Sequence, residues 1–166
     1  MILKSGKVDK GIGGGMCQMT NLIYWMTLHT PLTVIERHRH GYDVFPDSGR
    51  TQPFASGATC FYPHLDLMIK NETDRPYQLV VEVGQEYLTG AWLSVERPDR
   101  YYEIIEKNHE MRAEFWGGYS RHNEIYRHTF DLEGRFLLEE LITVNDAIMM
   151  YPPFLAAEND HTEYDR

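Results

Sequence analysis

The chain has 166 residues, 42% hydrophobic and 25% charged, which suits one globular domain with a core of its own. A net charge of −9 argues against a nucleic-acid partner, because phosphate contacts need a basic face. Two cysteines, Cys17 and Cys60, are too few for a disulfide framework, and no apolar run reaches the ~18 residues that a membrane span needs.

The opening segment MILKSGKVDK has neither the apolar stretch nor the cleavage site of a signal peptide, so the default reading of location is cytoplasmic. The run GIGGGMCQMTNLIYWM (11–26) follows, with Gly11, Gly13, Gly14 and Gly15 just ahead of Cys17 and Gln18. Met19, Leu22, Ile23 and Met26 recur at i, i+3, i+4 and i+7, which predicts a helix from about Met16 to about His29, ended by Pro31, with those four residues on its buried face. LTVIERHRH (32–40) reads as a strand through its β-branched Thr33, Val34 and Ile35. Residues 41–58 are rich in Gly, Pro, Asp and Ser and read as a long loop, a kind of segment that often carries function.

From Thr59 onward the pattern is β. Leu65, Leu67 and Ile69 alternate with His64, Asp66 and Met68. YQLVVEV and YLTGAWLSVE form a hairpin around Gly84-Gln85-Glu86, and Gly117-Gly118 and Glu133-Gly134 punctuate the strands that follow. FLLEELITV fits either a strand or a short helix. The expected fold is α+β: one N-terminal helix packed on a mostly antiparallel β-sheet, as a single domain over 1–155 with a polar tail over 156–166. The glycine run stands almost at the start of the chain, without a strand before it to hold it, which suggests a missing N-terminal portion.

Cys17 is the first candidate for chemistry. A thiol in the first turn of a helix sits among unpaired N–H groups at the positive end of the dipole, which favours a thiolate nucleophile. The glycine-rich backbone can approach a ligand closely and present N–H donors as an oxyanion hole, with Gln18 as an additional donor. The alternative is a small buried apolar side chain. A phosphate loop is disfavoured, since G-x-x-x-x-G-K-[ST] is not matched, and no cofactor is indicated. In Glu36-Arg37-His38-Arg39-His40, strand alternation puts Glu36, His38 and His40 on one face and Arg37 and Arg39 on the other. His40, with His38 as runner-up, is the candidate base for Cys17. His-x-His also suits a metal, and a solvated charged strand explains the pattern as well; no metal is assigned. Asp66 is the candidate orienter of the histidine. Glu36 is an alternative general acid for cleaving a glycan, with Asp43 or Asp66 as its partner.

These motifs together resemble the VanW family. The residues that carry the resemblance are Gly13, Gly14, Gly15, Cys17 and Gln18, then Arg37, His38 and His40, then Asp66, Leu67, Lys70 and Asn71, with FPDSGR and SGATC between them. The likeness covers roughly residues 11–75. Family members usually carry a longer stretch ahead of the glycine run. The resemblance implies a bacterial cell-envelope context, a link to glycopeptide resistance and a peptidoglycan or precursor fragment as the suspected partner. It supports the Cys17, His40 and Asp66 positions, with Gly13–Gly15, Gln18 and Arg37 as ligand contacts, but it implies no defined reaction. A non-catalytic wall-binding or glycopeptide-binding module is the other reading.

Overall fold

A computed structural model describes residues 2–4, 7–9, 15–44 and 51–153. A short hairpin, β1 (Ile2–Lys4) and β2 (Lys7–Asp9), precedes the helix α1 (Met16–Leu28). Strand β3 (Thr33–Glu36) pairs antiparallel with β5 (Met68–Lys70), and β6 (Tyr77–Val83) forms a hairpin with β7 (Leu88–Ser94). The largest sheet has the order β4–β10–β9–β8, from β4 (Tyr42–Asp43), β8 (Arg100–Ala113), β9 (Tyr119–Asp131) and β10 (Phe136–Met149).

This corrects the expected α+β class. The fold is mostly β, with one short helix among the described residues, and its β structure is divided among several sheets. The largest sheet is mixed, because β4 joins β10 in parallel while β8, β9 and β10 run antiparallel. The helix does not lie on that sheet as a layer. It runs along β7 and β3, and Ile104 and Ile142 reach its buried side from β8 and β10.

The helix starts where Gly15 takes a left-handed φ of 92°, a conformation open to glycine at little cost, and Met19 N–H donates to the Gly15 carbonyl. Its most buried residues are Thr20, Tyr24, Thr27 and Leu28, whereas Met19, Leu22, Ile23 and Met26 are only half-buried. The buried stripe is therefore rotated from the one that hydrophobic spacing selects. Threonine can fill it because each hydroxyl is satisfied: Thr20 Oγ1 donates to the Ala58 carbonyl (2.7 Å) and Thr27 Oγ1 to that of Ile23 (2.7 Å).

Bulges bend the long strands. One falls between Lys107 and Glu110, where Asn108 takes a φ of 52°, so two segments separable in the sequence become one strand. Another, between Leu141 and Thr143, shifts the inward phase of β10 onto Asn145, Ala147 and Met149; the stretch FLLEELITV is strand throughout. The inner face of this sheet is unusually polar. Arg121, Asn123, Thr129 and Asn145 are all buried there, and Asn145 Nδ2 donates to Asn123 Oδ1 (2.8 Å). The segment 51–59 covers this face: Asn123 Nδ2 donates to the Phe54 carbonyl (2.9 Å), and the Arg121 guanidinium lies 4.4 Å from the centre of the Phe54 ring.

Candidate functional site

Cys17 is the second residue of α1 and half-buried. The chain returns to it through an isolated bridge between His38 and Thr59, in which Thr59 N–H donates to the His38 carbonyl (2.8 Å). That bridge presents the Thr59 hydroxyl to the thiol, Sγ to Oγ1 2.9 Å. Asn21, one turn along the helix, accepts the Ala58 N–H through Oδ1 (2.7 Å) and fastens the same segment. Gly57 packs closely at this contact: a Cβ there would meet Asn21 Oδ1 at 2.4 Å, so the Asn21 side chain would have to move.

These contacts form one wall of a cleft of about 370 Å³. The stretch after β3, with Arg39, His40, Tyr42 and Asp43, also lines it. Cys17 and His40 thus line the same cleft. Arg39 also lines it; its guanidinium donates to the main-chain carbonyls of Asp146 (2.8 Å) and His40 (3.3 Å), and partial burial pulls its pKa below the usual arginine value, with Asp146 opposing. Asp43, also in the lining, is buried, and its Oδ2 accepts from Tyr151 (2.7 Å) and from the equally buried Arg121 (3.3 Å). The Arg121 Nε also donates to His109 Nε2 (2.8 Å).

The remaining expected site residues lie elsewhere. Glu36 and His38 do share a face, since His38 Nε2–H donates to Glu36 Oε1 (2.8 Å), but neither lines the cleft. β3 ends at Glu36, and the alternation of a strand does not carry on to His40. Arg37 turns inward. Nε donates to the Gly57 carbonyl (2.9 Å), Nη2 to the carbonyls of Gly57 (2.7 Å) and Ala55, and Nη1 to Thr143 Oγ1 (3.1 Å), with the guanidinium 4.9 Å from the centre of the Tyr24 ring. Burial lowers its pKa; the Tyr24 hydroxyl works against that and Arg39 adds to it. Asp66 is exposed and is not among the residues lining the cleft. Gln18 is exposed and also outside the lining, and Gly15 provides the helix start. Gly13 and Gly14 lie outside the described residues, as does the polar tail from Ala156.

Sequence reasoning did not single out Thr59, Asn21 or Arg39. Thr59 belongs to the SGATC run, and its role became visible only once the His38 bridge set it against the helix. Among the described residues no group of three or more His, Cys, Asp and Glu side chains is arranged to hold a metal ion, and no helix is long and apolar enough to cross a membrane.

A family model described as "VanW like protein" matches residues 1–93. The chain is also 31% identical over 153 residues to the Vancomycin B-type resistance protein VanW of Enterococcus faecalis (strain ATCC 700802 / V583). That alignment takes in 92% of this chain and 55% of the relative, so the chain spans about half the length of the curated relative it matches. No solved structure matches.

Proposed function

The chain belongs to the VanW family, and from that premise we propose that it serves in glycopeptide resistance by acting on a peptide of peptidoglycan or of its precursors through the cleft that holds Cys17 and His40. The observation that carries this reading is the shared cleft: a thiol in the first turn of a helix and an imidazole from a remote stretch of chain face one cavity.

In this reading His40 takes the Cys17 proton, and Sγ attacks the carbonyl carbon of an amide or ester. The carbonyl C–N or C–O bond breaks, His40 returns its proton to the leaving amine or alcohol, and a thioester remains. Water, deprotonated by His40, then releases the acyl group as a carboxylic acid and restores the thiol. Thr59 Oγ1 holds the thiol in place at 2.9 Å. Arg39, bonded to main-chain carbonyls, supplies the positive charge that orients a substrate carboxylate. Asp66 takes no part, since it is not in the cleft lining.

The test follows soluble muropeptides by mass spectrometry after incubation with the purified chain. Cys17→Ala should abolish the release of peptide or amine, and His40→Ala should slow it by about 10²–10⁴-fold. If Cys17→Ala leaves turnover intact while Glu36→Gln stops it, the thiol mechanism is wrong and the glycan-cleaving alternative takes its place. If nothing turns over but fragments bind saturably, the chain is a binding module.

A further inference from the structure

A larger cavity, about 570 Å³, lies at the opposite end of α1. It is bounded by the residues that follow the helix, the β6–β7 hairpin and the first residues of β8, and it shares no lining residue with the Cys17 cleft. A 13-residue helix separates the two by roughly 20 Å.

Three half-buried aromatic side chains, Tyr77, Trp92 and Tyr102, line it. Two of the rings are held from behind. The Trp92 indole N–H donates to Thr27 Oγ1 (3.0 Å), and the Arg127 guanidinium lies 5.1 Å from the centre of the Tyr102 ring. Arg127 is itself fixed by Glu140 (2.9 and 3.1 Å) and by the Thr30 carbonyl (3.1 Å). Ring surface is therefore available without further ordering, which lowers the entropic cost of binding.

The charged side chains of the lining are matched among themselves. Arg75 Nε lies 2.9 Å from Glu96 Oε2, and Arg100 Nη2 lies 2.9 Å from Asp99 Oδ2. An anionic ligand would meet the repulsion of a carboxylate already paired with either arginine. A cationic one would find Asp74, whose side chain is 95% exposed and screened by water. Each arginine–carboxylate pair still has unused N–H donors and oxygen lone pairs on its planar groups, so it can receive and donate to neighbouring hydroxyls together. An uncharged ligand with an apolar ring face and a rim of hydroxyls satisfies both sets of groups.

We propose that this cavity binds a neutral pyranose saccharide, stacked on the rings of Tyr77, Trp92 and Tyr102 and hydrogen-bonded at its rim by the Arg75–Glu96 and Arg100–Asp99 pairs. The proposal is independent of whether Cys17 is a nucleophile.

Titrating the full chain with chitotetraose, cellotetraose and maltotetraose, by calorimetry and by amide and indole NMR, tests it. Saturable binding of at least one of these is expected, with the Trp92 indole signal among the most shifted. Tyr77→Ala should weaken that binding about tenfold or more. Glu96→Gln, a surface change that leaves the core alone, should weaken it too, and Cys17→Ala should leave it unchanged. The proposal is overturned if none of the three sugars binds saturably, or if Glu96→Gln and Tyr77→Ala both bind as the wild type does. It also fails if the shifts cluster on the Cys17 cleft, or if a glutamate-rich peptide displaces the sugar from Trp92.

Discussion

Arg37 offers the sharpest test of how the cleft is held together. The family resemblance marks it as a ligand contact, yet its guanidinium is taken up by the Gly57 and Ala55 carbonyls, by Thr143 Oγ1 and by the face of Tyr24. Those contacts tie the segment that carries Thr59 to both the helix and β10. Arg37→Met keeps most of the stem and removes all of the donors. Two carbonyl oxygens then lose a charged donor. Hydrogen bonds to charged groups contribute ~1.5–3 kcal/mol each and the cation–ring contact ~0.5–2 kcal/mol, while relief from burying a charge returns part of the total. The expected net loss is about 3–5 kcal/mol, a large share of a stability of ~5–15 kcal/mol. Urea unfolding followed by tryptophan fluorescence reads it as a lower midpoint at constant slope. Arg37→Lys, with the charge but not the fork, should fall between the two. A loss under about 1 kcal/mol for Arg37→Met would refute the scaffold role. An Arg37→Met protein of full stability that no longer binds wall fragments would restore the ligand role.

Other expectations follow from the same geometry. Gly57→Ala drives a methyl group against Asn21 Oδ1 and pushes that side chain off the Ala58 N–H, so a loss of about 1–2 kcal/mol is expected in the same unfolding assay, together with faster alkylation of Cys17 as the segment over it loosens. Asp43→Ala takes away the carboxylate that faces the buried Arg121 guanidinium and should cost about 3 kcal/mol; a neutral outcome would mean that the pair is replaceable there. Asp99, hydrogen-bonded by Arg100, has its pKa lowered from 3.8 to about 2. Because the folded value lies below the unfolded one, Asp99 favours the folded state at pH above about 4, and that contribution fades as the pH drops through about 2. A carboxyl ¹³C titration should place its midpoint near 2, and Arg100→Met should return it to the ordinary aspartate range; an unmoved midpoint would remove Arg100 as the cause.

Local signals marked several elements closely. The helix runs from Met16 to Leu28 because its periodicity, a glycine able to adopt positive φ at its start and Pro31 beyond its end all act within a few residues. The turns at Gly84–Glu86, Gly117–Gly118 and Glu133–Gly134 were legible for the same reason, with Gly117 and Gly134 at φ of 86° and 83°. The family signature was legible too, since it is a matter of residue types in order.

What lay beyond the sequence depends on partners distant along the chain. Hydrophobic spacing in α1 chose Met19, Leu22, Ile23 and Met26, but the helix buries Thr20, Tyr24, Thr27 and Leu28, because the Ala58 carbonyl and the Trp92 indole supply hydrogen-bond partners that no local pattern announces. Strand alternation grouped Glu36, His38 and His40; with β3 ending at Glu36, only His40 lines the cleft. The parallel pairing of β4 with β10, which makes the largest sheet mixed, joins residues about a hundred positions apart, which no local propensity announces. The thiol at the head of the helix could be located from the sequence alone. The hydroxyl that holds it, the histidine that shares its cleft and the arginine that ties the segment carrying Thr59 to the helix and β10 were fixed only when distant segments packed.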